Sequence, residues 1–362
     1  SREMHQFRNA AIADKILERV ASMRLNLTLM HVCGTHQDTV VRYGLDTMLR
    51  KSGIDIRQGP GCPVCVTTTG EIEEAITLAR RGKIVATYGD MLRVPGAAGS
   101  LTDARSEGAK VKLVYSITDA VEMAEGTKEE VVFVAIGFET TAPSTAVTAL
   151  KDPPKNLAIL NFHRYLPPAL DALLGMGELR IQGIIEPGHV STIIGTKPYQ
   201  EISDKYRLPQ VIAGFEPLDV LMAVYMIAKQ AKDSRSTVEN EYGRAVREEG
   251  NKRALEVLSE VFEPKDSRWR GFPTIQASRM KLKEEFSSLD AEKKYADDLK
   301  EIMNKDFPEP AGCGCDRVLR GLMEPRECTL FGTRCTPQNP VGPCMVSMEG
   351  SCNIEYRYRR PT

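Results

Sequence analysis

Hydrophobic residues recur along this chain with two different periods. Across residues 5–23, Ile12, Ile16, Val20 and Met23 share one stripe, the spacing of an amphipathic helix. Short β-branched runs then alternate with helical patterns. LTLMHV (27–32) reads as a strand, IRQG (56–59) closes a second, and KIVATY (83–88), VKLVYS (111–116) and VVFVAIG (131–137) follow. After the break KDPPKN come LAILNF (157–162), IQGIIEP (181–187) and PQVIAGF (209–215). EIEEAITLAR (71–80) and PLDVLMAVYMIAKQA (217–231) have helical spacing between and after them. The alternation predicts an α/β fold: two similar Rossmann-like units, each a parallel sheet under helices. The triplet Gly-Phe-Glu follows a strand at 137–139 and again at 214–216, a faint repeat in favour of two units.

From residue 232 the pattern changes. The stretch to 262 is charged and reads as helical, with Leu255, Leu258, Val261 and Phe262 on its apolar stripe; after FPEPAGCGC the chain is rich in Gly, Pro and Cys. The expected organisation is therefore an N-terminal helix (1–24) free to dock on the C-terminal region, α/β domains at 25–128 and 129–231, and a helical, metal-stapled domain at 232–362. A hydrophobic content of 42% and a formal net charge of -1 describe a soluble globular protein with no general field for nucleic acid or an anionic membrane. No apolar run reaches membrane-span length, and the first helix lacks the apolar centre of a signal peptide, so a cytoplasmic location is expected. Ser1 reads as a cloning remnant. Neither a Walker A string nor GxGxxG follows a strand, so no nucleotide site of standard type is indicated.

The chemistry is in the cysteines. Of nine, Cys33, Cys62 and Cys65 lie early, and Cys313, Cys315, Cys328, Cys335, Cys344 and Cys352 crowd the C-terminal end. Clustered thiols in a large cytoplasmic chain point to metal binding or redox work. The late spacings lack the paired knuckles of a zinc ribbon, and four thiolates suit a [4Fe–4S] cluster, with a spare pair left over. Zinc remains the alternative. CPVC (62–65) precedes a helix start where Thr68 and Glu71 fit a capping box, so it reads as a redox dithiol or as two turn cysteines. Cys33 and His36 in HVCGTHQD follow the first strand and could share a metal, and CPVC after the next strand would reach the same sheet edge. Glu139, Thr140 and Thr141 of GFETTAP and His189 of EPGHVSTIIG are further crevice candidates, His189 as a ligand or general acid; His163 reads as structural.

Six strings in order, CGTH (33–36), GPGCPVC (59–65), GFETTAP, EPGHVSTIIG, AGFEPLD (213–219) and CTLFGTRCTPQNPVGPCMVSMEGSC, resemble the HypD family of [NiFe]-hydrogenase maturation factors. The resemblance runs from about residue 28 to 354 and is thinnest across 232–305. It implies two α/β domains and a [4Fe–4S] domain. It implies a scaffold that works with HypC, on which mononuclear iron acquires CN and CO as Fe(CN)2CO. HypE, with HypF upstream, supplies cyanide as a thiocyanate. By motif, Cys313, Cys328, Cys335 and Cys352 match the cluster ligands, Cys315 and Cys344 an adjacent redox pair, Cys62 and Cys65 a second pair, and Cys33, with His36 nearby, the iron-holding thiol. Read without the resemblance, the same thiols suit a cluster-dependent thiol–disulfide oxidoreductase or a zinc-stapled binding domain.

Overall fold

The computed structural model describes residues 2–359, so Ser1 lies outside them. All eight strand runs form strands: β1 (Leu27–His31), β2 (Ile54–Gln58), β3 (Ile84–Thr87), β4 (Val111–Leu113), β5 (Val131–Ala135), β6 (Leu157–Asn161), β7 (Gly183–Pro187) and β8 (Gln210–Ala213). Three more appear within the region expected to be helical: β9 (Val238–Asn240), β10 (Phe262–Arg268) and β11 (Thr274–Leu282). One sheet has the order β2-β1-β7-β8-β9 and a second the order β4-β3-β5-β6. Every pairing in these two sheets is parallel, whereas β10 and β11 form a separate antiparallel hairpin.

The chain builds β1 and β2, leaves to complete the whole of the second sheet, and returns for β7 to β9. The strands of residues 25–128 are thus divided between both sheets, and so are those of 129–231. Each sheet nevertheless winds alike, its first strand placed between its second and third in chain order. The two Gly-Phe-Glu triplets follow β5 and β8, the third strand of one sheet and the fourth of the other, so they mark no equivalent positions.

Side-chain alternation explains the layering. Leu29, Ile185 and Val211 face an outer core shared with Ile16, Val20 and the helix Pro217–Lys232. Among the described residues, the helix Arg2–Ser22 packs on the first α/β unit, where Val20 is fully buried. Phe133, Ala135 and Ile159 of the second sheet face another outer core, completed by Val257, Leu258 and Val261 of the helix Lys252–Val261 and by Met280 and Leu282 of β11. The helix Lys252–Val261 and the β10–β11 hairpin thus help to close an α/β unit.

The remaining faces meet in one central core. Met30, Ile184 and Ile212 from the first sheet join Val85, Val132, Val134 and Leu160 from the second, and Cys62, Cys65, Cys315 and Cys344 lie in the same cluster. Trp269 in the hairpin turn seals it, fully buried, its indole N–H donating to Ser278 Oγ at 2.9 Å. Trp269→Ala is expected to cost about 3–5 kcal/mol. The check is the urea midpoint by far-ultraviolet circular dichroism, since Trp269 is the one tryptophan; an unshifted midpoint would mean that the turn is not part of the core.

Candidate thiol and metal centre

In a doubly wound sheet the crevice opens outside the carboxyl ends of the strands where the winding reverses. In the first sheet that point lies between β1 and β7. Cys33 stands there, as the residue preceding the helix Gly34–Arg42. Because β2 lies parallel beside β1, the chain leaving β2 delivers CPVC to the same edge. Gly61 makes the approach possible: a Cβ on it would stand 2.2 Å from the carbonyl carbon of Val32. Gly34 is equally confined, since its Cβ would stand 2.5 Å from that of Glu349.

A small cavity results. His31, Cys33, Gln37, Gln58, Cys62, Cys65, Cys344 and Glu349 are among its lining residues. Cys62 and Cys65 are joined as a disulfide, with Cα atoms 5.2 Å apart. Cys62 Sγ also accepts the Cys65 amide at 3.2 Å, which caps the helix Pro63–Val66. The capping box of Thr68 and Glu71 is present on the next helix, Thr69–Arg80. Burial pushes the Cys33 thiol up to about 11, against the pull of the His36 and Thr35 amides. The Glu349 carboxyl is raised by burial and by Asp90. Asp90 in turn accepts the Met348 amide at 3.2 Å, which ties the end of β3 in the second sheet to the same rim.

The six late cysteines line a second cavity, of about 20 Å³. Cys315, Cys335 and Cys344 are buried, and Cys313, Cys328 and Cys352 half-buried. Among the described residues, no three His, Cys, Asp or Glu side chains are grouped closely enough to hold a single metal ion. The donor set itself suits a sulfur-ligated cluster, with four thiols to bind and two to spare. Gly342 keeps the wall open, because a Cβ there would stand 2.7 Å from Cys313 Sγ, and the Val341 amide donates to Cys335 Sγ at 3.3 Å. Cys315 is held well below the usual thiol range by hydrogen bonds from the Cys313 and Cys344 thiols, with Arg270 adding to the effect. The same contacts push Cys313 and Cys344 up. Cys315 and Cys344 are therefore neighbouring free thiols.

Cys344 lines both cavities.

The structure distributes the other candidates elsewhere. His36 is fully buried, with Nε2 2.9 Å from the carbonyl oxygen of Gly214 and its ring 4.7 Å from that of Phe215, and it does not line the Cys33 cavity. His189 is exposed and stacks on Phe215 at 4.1 Å. Glu139 caps the helix Leu166–Met176, its carboxylate accepting the Leu166 amide at 3.1 Å; Thr140 is exposed and Thr141 bonds back to the Ile136 carbonyl. His163 is fully buried, with Nδ1 2.8 Å from Asn161 Oδ1, a core residue in the second unit. Sequence reasoning passed over His31, Gln37, Gln58 and Glu349: His31 was counted within an apolar strand run, although alternation along β1 already carries position 31 to the end of the strand. A wider cleft, about 810 Å³ between the helix Thr69–Arg80 and the β10–β11 turn, contains no cysteine. Arg270 pairs there with Glu309 and Arg279 with Glu292, whereas Glu74 is buried with Oε1 unpartnered.

Two interlocked parallel α/β sheets holding a dithiol site against a six-cysteine cradle define a thiol-dense α/β protein. A family model, HypD, described as the hydrogenase formation hypA family, matches residues 8–359. A protein of Methanocaldococcus jannaschii is 49% identical over 351 residues, 96% of each chain. The hydrogenase maturation factor HypD2 of Bradyrhizobium diazoefficiens is 43% identical (98% of this chain, 96% of the relative), and HypD of Cupriavidus necator 40% identical (99% and 97%). The chain belongs to the HypD family. No helix among the described residues is long and apolar enough to cross a membrane.

The buried cap at Glu139 generates a pH prediction. Burial raises its carboxyl from 4.5 to about 7, against the pull of the Leu166 amide. The folded state therefore holds this proton more tightly than the unfolded one. Its stabilising contribution is complete below pH 4.5 and lost as pH rises through 7. Glu139→Gln should remove about 3 kcal/mol of that pH dependence. Denaturant melts of both proteins between pH 4.5 and 8 check it; parallel curves would place the titration elsewhere.

Proposed function

We propose that this chain is the scaffold on which the Fe(CN)2CO unit of [NiFe] hydrogenase is assembled, Cys33 holding the iron with HypC as partner while cyanide arrives from HypE, itself charged through HypF. The observation that carries the reading is the position of Cys344, one side chain common to the thiol cradle and to the Cys33–Cys62–Cys65 cavity. Cys313, Cys328, Cys335 and Cys352 would hold a [4Fe–4S] cluster, which would supply electrons singly. Cyanide release needs two: the S–CN bond of a thiocyanate breaks, its sulfur takes two electrons and a proton, and cyanide leaves as the anion bound for iron.

A dithiol closing to a disulfide yields two electrons and two protons. Cys62 and Cys65 do this beside Cys33; one proton ends on the donor's sulfur and the other leaves to solvent. The Cys62–Cys65 disulfide is the spent state of that step. Recovery is thiol–disulfide exchange: Cys344 attacks the disulfide, a mixed disulfide forms, and Cys315 resolves it, leaving Cys62 and Cys65 as thiols and Cys315–Cys344 oxidised. The contact of Cys315 with Cys344 favours that resolution. Two electrons and two protons then return Cys315 and Cys344 to thiols, electrons that a cluster beside them, recharged by an external low-potential donor, would supply one at a time. Cys33 is half-buried at this cavity, which partly shields an iron carrying CO and cyanide from water.

Two measurements test the reading. Anaerobically purified protein should be brown and contain cluster iron and sulfide; zinc in their place would overturn it. With the cluster reduced by dithionite, alkylation should label Cys62 and Cys65 in the natural chain and fall to background in Cys344→Ser. Equal labelling in the two proteins would remove Cys344 from the relay. Sustained disulfide-reductase turnover without an additional bound iron would favour the oxidoreductase alternative.

A further inference from the structure

We infer that His31, the last residue of β1, supplies a nitrogen ligand beside Cys33 for the iron, in the place that the CGTH string suggests for His36. The inference rests on the reading of Cys33 as the iron-holding thiol.

His31 is 2% exposed, and its ring lines the cavity that contains Cys33, Cys62 and Cys65. Its Nε2 lies 2.6 Å from Gln37 Oε1. A carbonyl oxygen only accepts, so Nε2 carries the hydrogen and Nδ1 keeps its lone pair. That Nδ1 is buried without a geometrically formed hydrogen bond, and the Cys33 backbone lies close beside the ring. An unpaired buried acceptor is costly, and here it belongs to a ring on the wall of the cavity that would receive the metal. Neutral imidazole is a ligand suited to iron, and the bond to Gln37 is the kind of outer contact that fixes a ligating ring in tautomer and direction. Gln37 comes from the helix that Cys33 begins, so the ring and the thiol are oriented from one short segment.

His36 lacks this placement. Its Nε2 is bonded to the Gly214 carbonyl beyond β8. Its Nδ1 is also unpartnered, but the ring sits against Phe215, 6.2 Å from the His31 ring, and does not line the cavity that contains Cys33. The difference follows from the backbone: residue 31 ends a strand at the crevice, whereas residue 36 lies in the first turn of a helix and turns toward β8.

The test uses the full chain with its cluster intact and Cys62–Cys65 left as the disulfide. Fe(II) alone is titrated in without oxygen, and affinity is read by competition with a chromogenic chelator. Cys33→Ser should abolish the added site, His31→Gln should weaken it about tenfold or more, and His36→Gln should leave it within error of the natural chain. Free imidazole added to His31→Gly should restore affinity, which a packing role for the ring would not predict. If His31→Gln binds Fe(II) normally, or imidazole gives no rescue, the assignment of His31 is overturned while the Cys33 reading stands. If Cys33→Ser binds as the natural chain does, the underlying reading fails first.

Discussion

The backbone of Gly61 lies so close to the Val32–Cys33 peptide that no side chain fits between them. The chemistry of this molecule depends on that contact. Two parallel strands, β1 and β2, end side by side, and the glycine lets the loop after the second fold back onto the end of the first. Cys33 and the CPVC pair are thereby held in one wall. A parallel pair places both strand ends on one edge; only the missing side chain brings them into the same cavity. The opposite wall comes from almost 300 residues further along, where Cys344 and Glu349 are pressed against it through Gly34.

Interleaving of the two sheets gives this junction its rigidity. The second unit is inserted between β2 and β7 of the first, so neither unit is complete without the chain passing twice between them. Their inner faces share a single core that also contains Cys62, Cys65, Cys315 and Cys344. Asp90, in the short helix Gly89–Leu92 after β3, bonds the segment that bears Met348, and Arg270, in the hairpin turn, donates its backbone N–H to the Val66 carbonyl just after CPVC. Each sulfur-bearing loop is thus anchored to a different part of the scaffold, and their relative positions follow from the whole fold.

How much of this was legible varies with the range of the interaction. The eight strands were visible because β-branched runs such as VVFVAIG declare themselves locally. Which sheet each strand joins was not, since a parallel partner is chosen by distant contacts and both sheets wind in the same order. The short, polar β9 (VEN) and the hairpin were hidden by charge, although Met280 and Leu282 alternate with lysines as a half-buried strand should. At the site, the cysteines were legible by type and count. His36 attracted attention through its spacing from Cys33, yet a helix starting at Gly34 turns it toward Gly214. His31 looked like one more position in an apolar strand, and only the geometry of the strand's end gives it a face on the cavity.

The central claim is that Cys344 passes electrons between the two thiol sites by direct exchange. Serine in place of Cys315 removes the resolving thiol, and serine at Cys65 or at Cys62, in separate chains, leaves one partner for Cys344. Under mild oxidation, peptide mass spectrometry of these double variants should find Cys344 joined to the remaining CPVC cysteine in at least one of them. If Cys344 stays free and alkylatable in both, the two sites do not communicate through it, and the account fails.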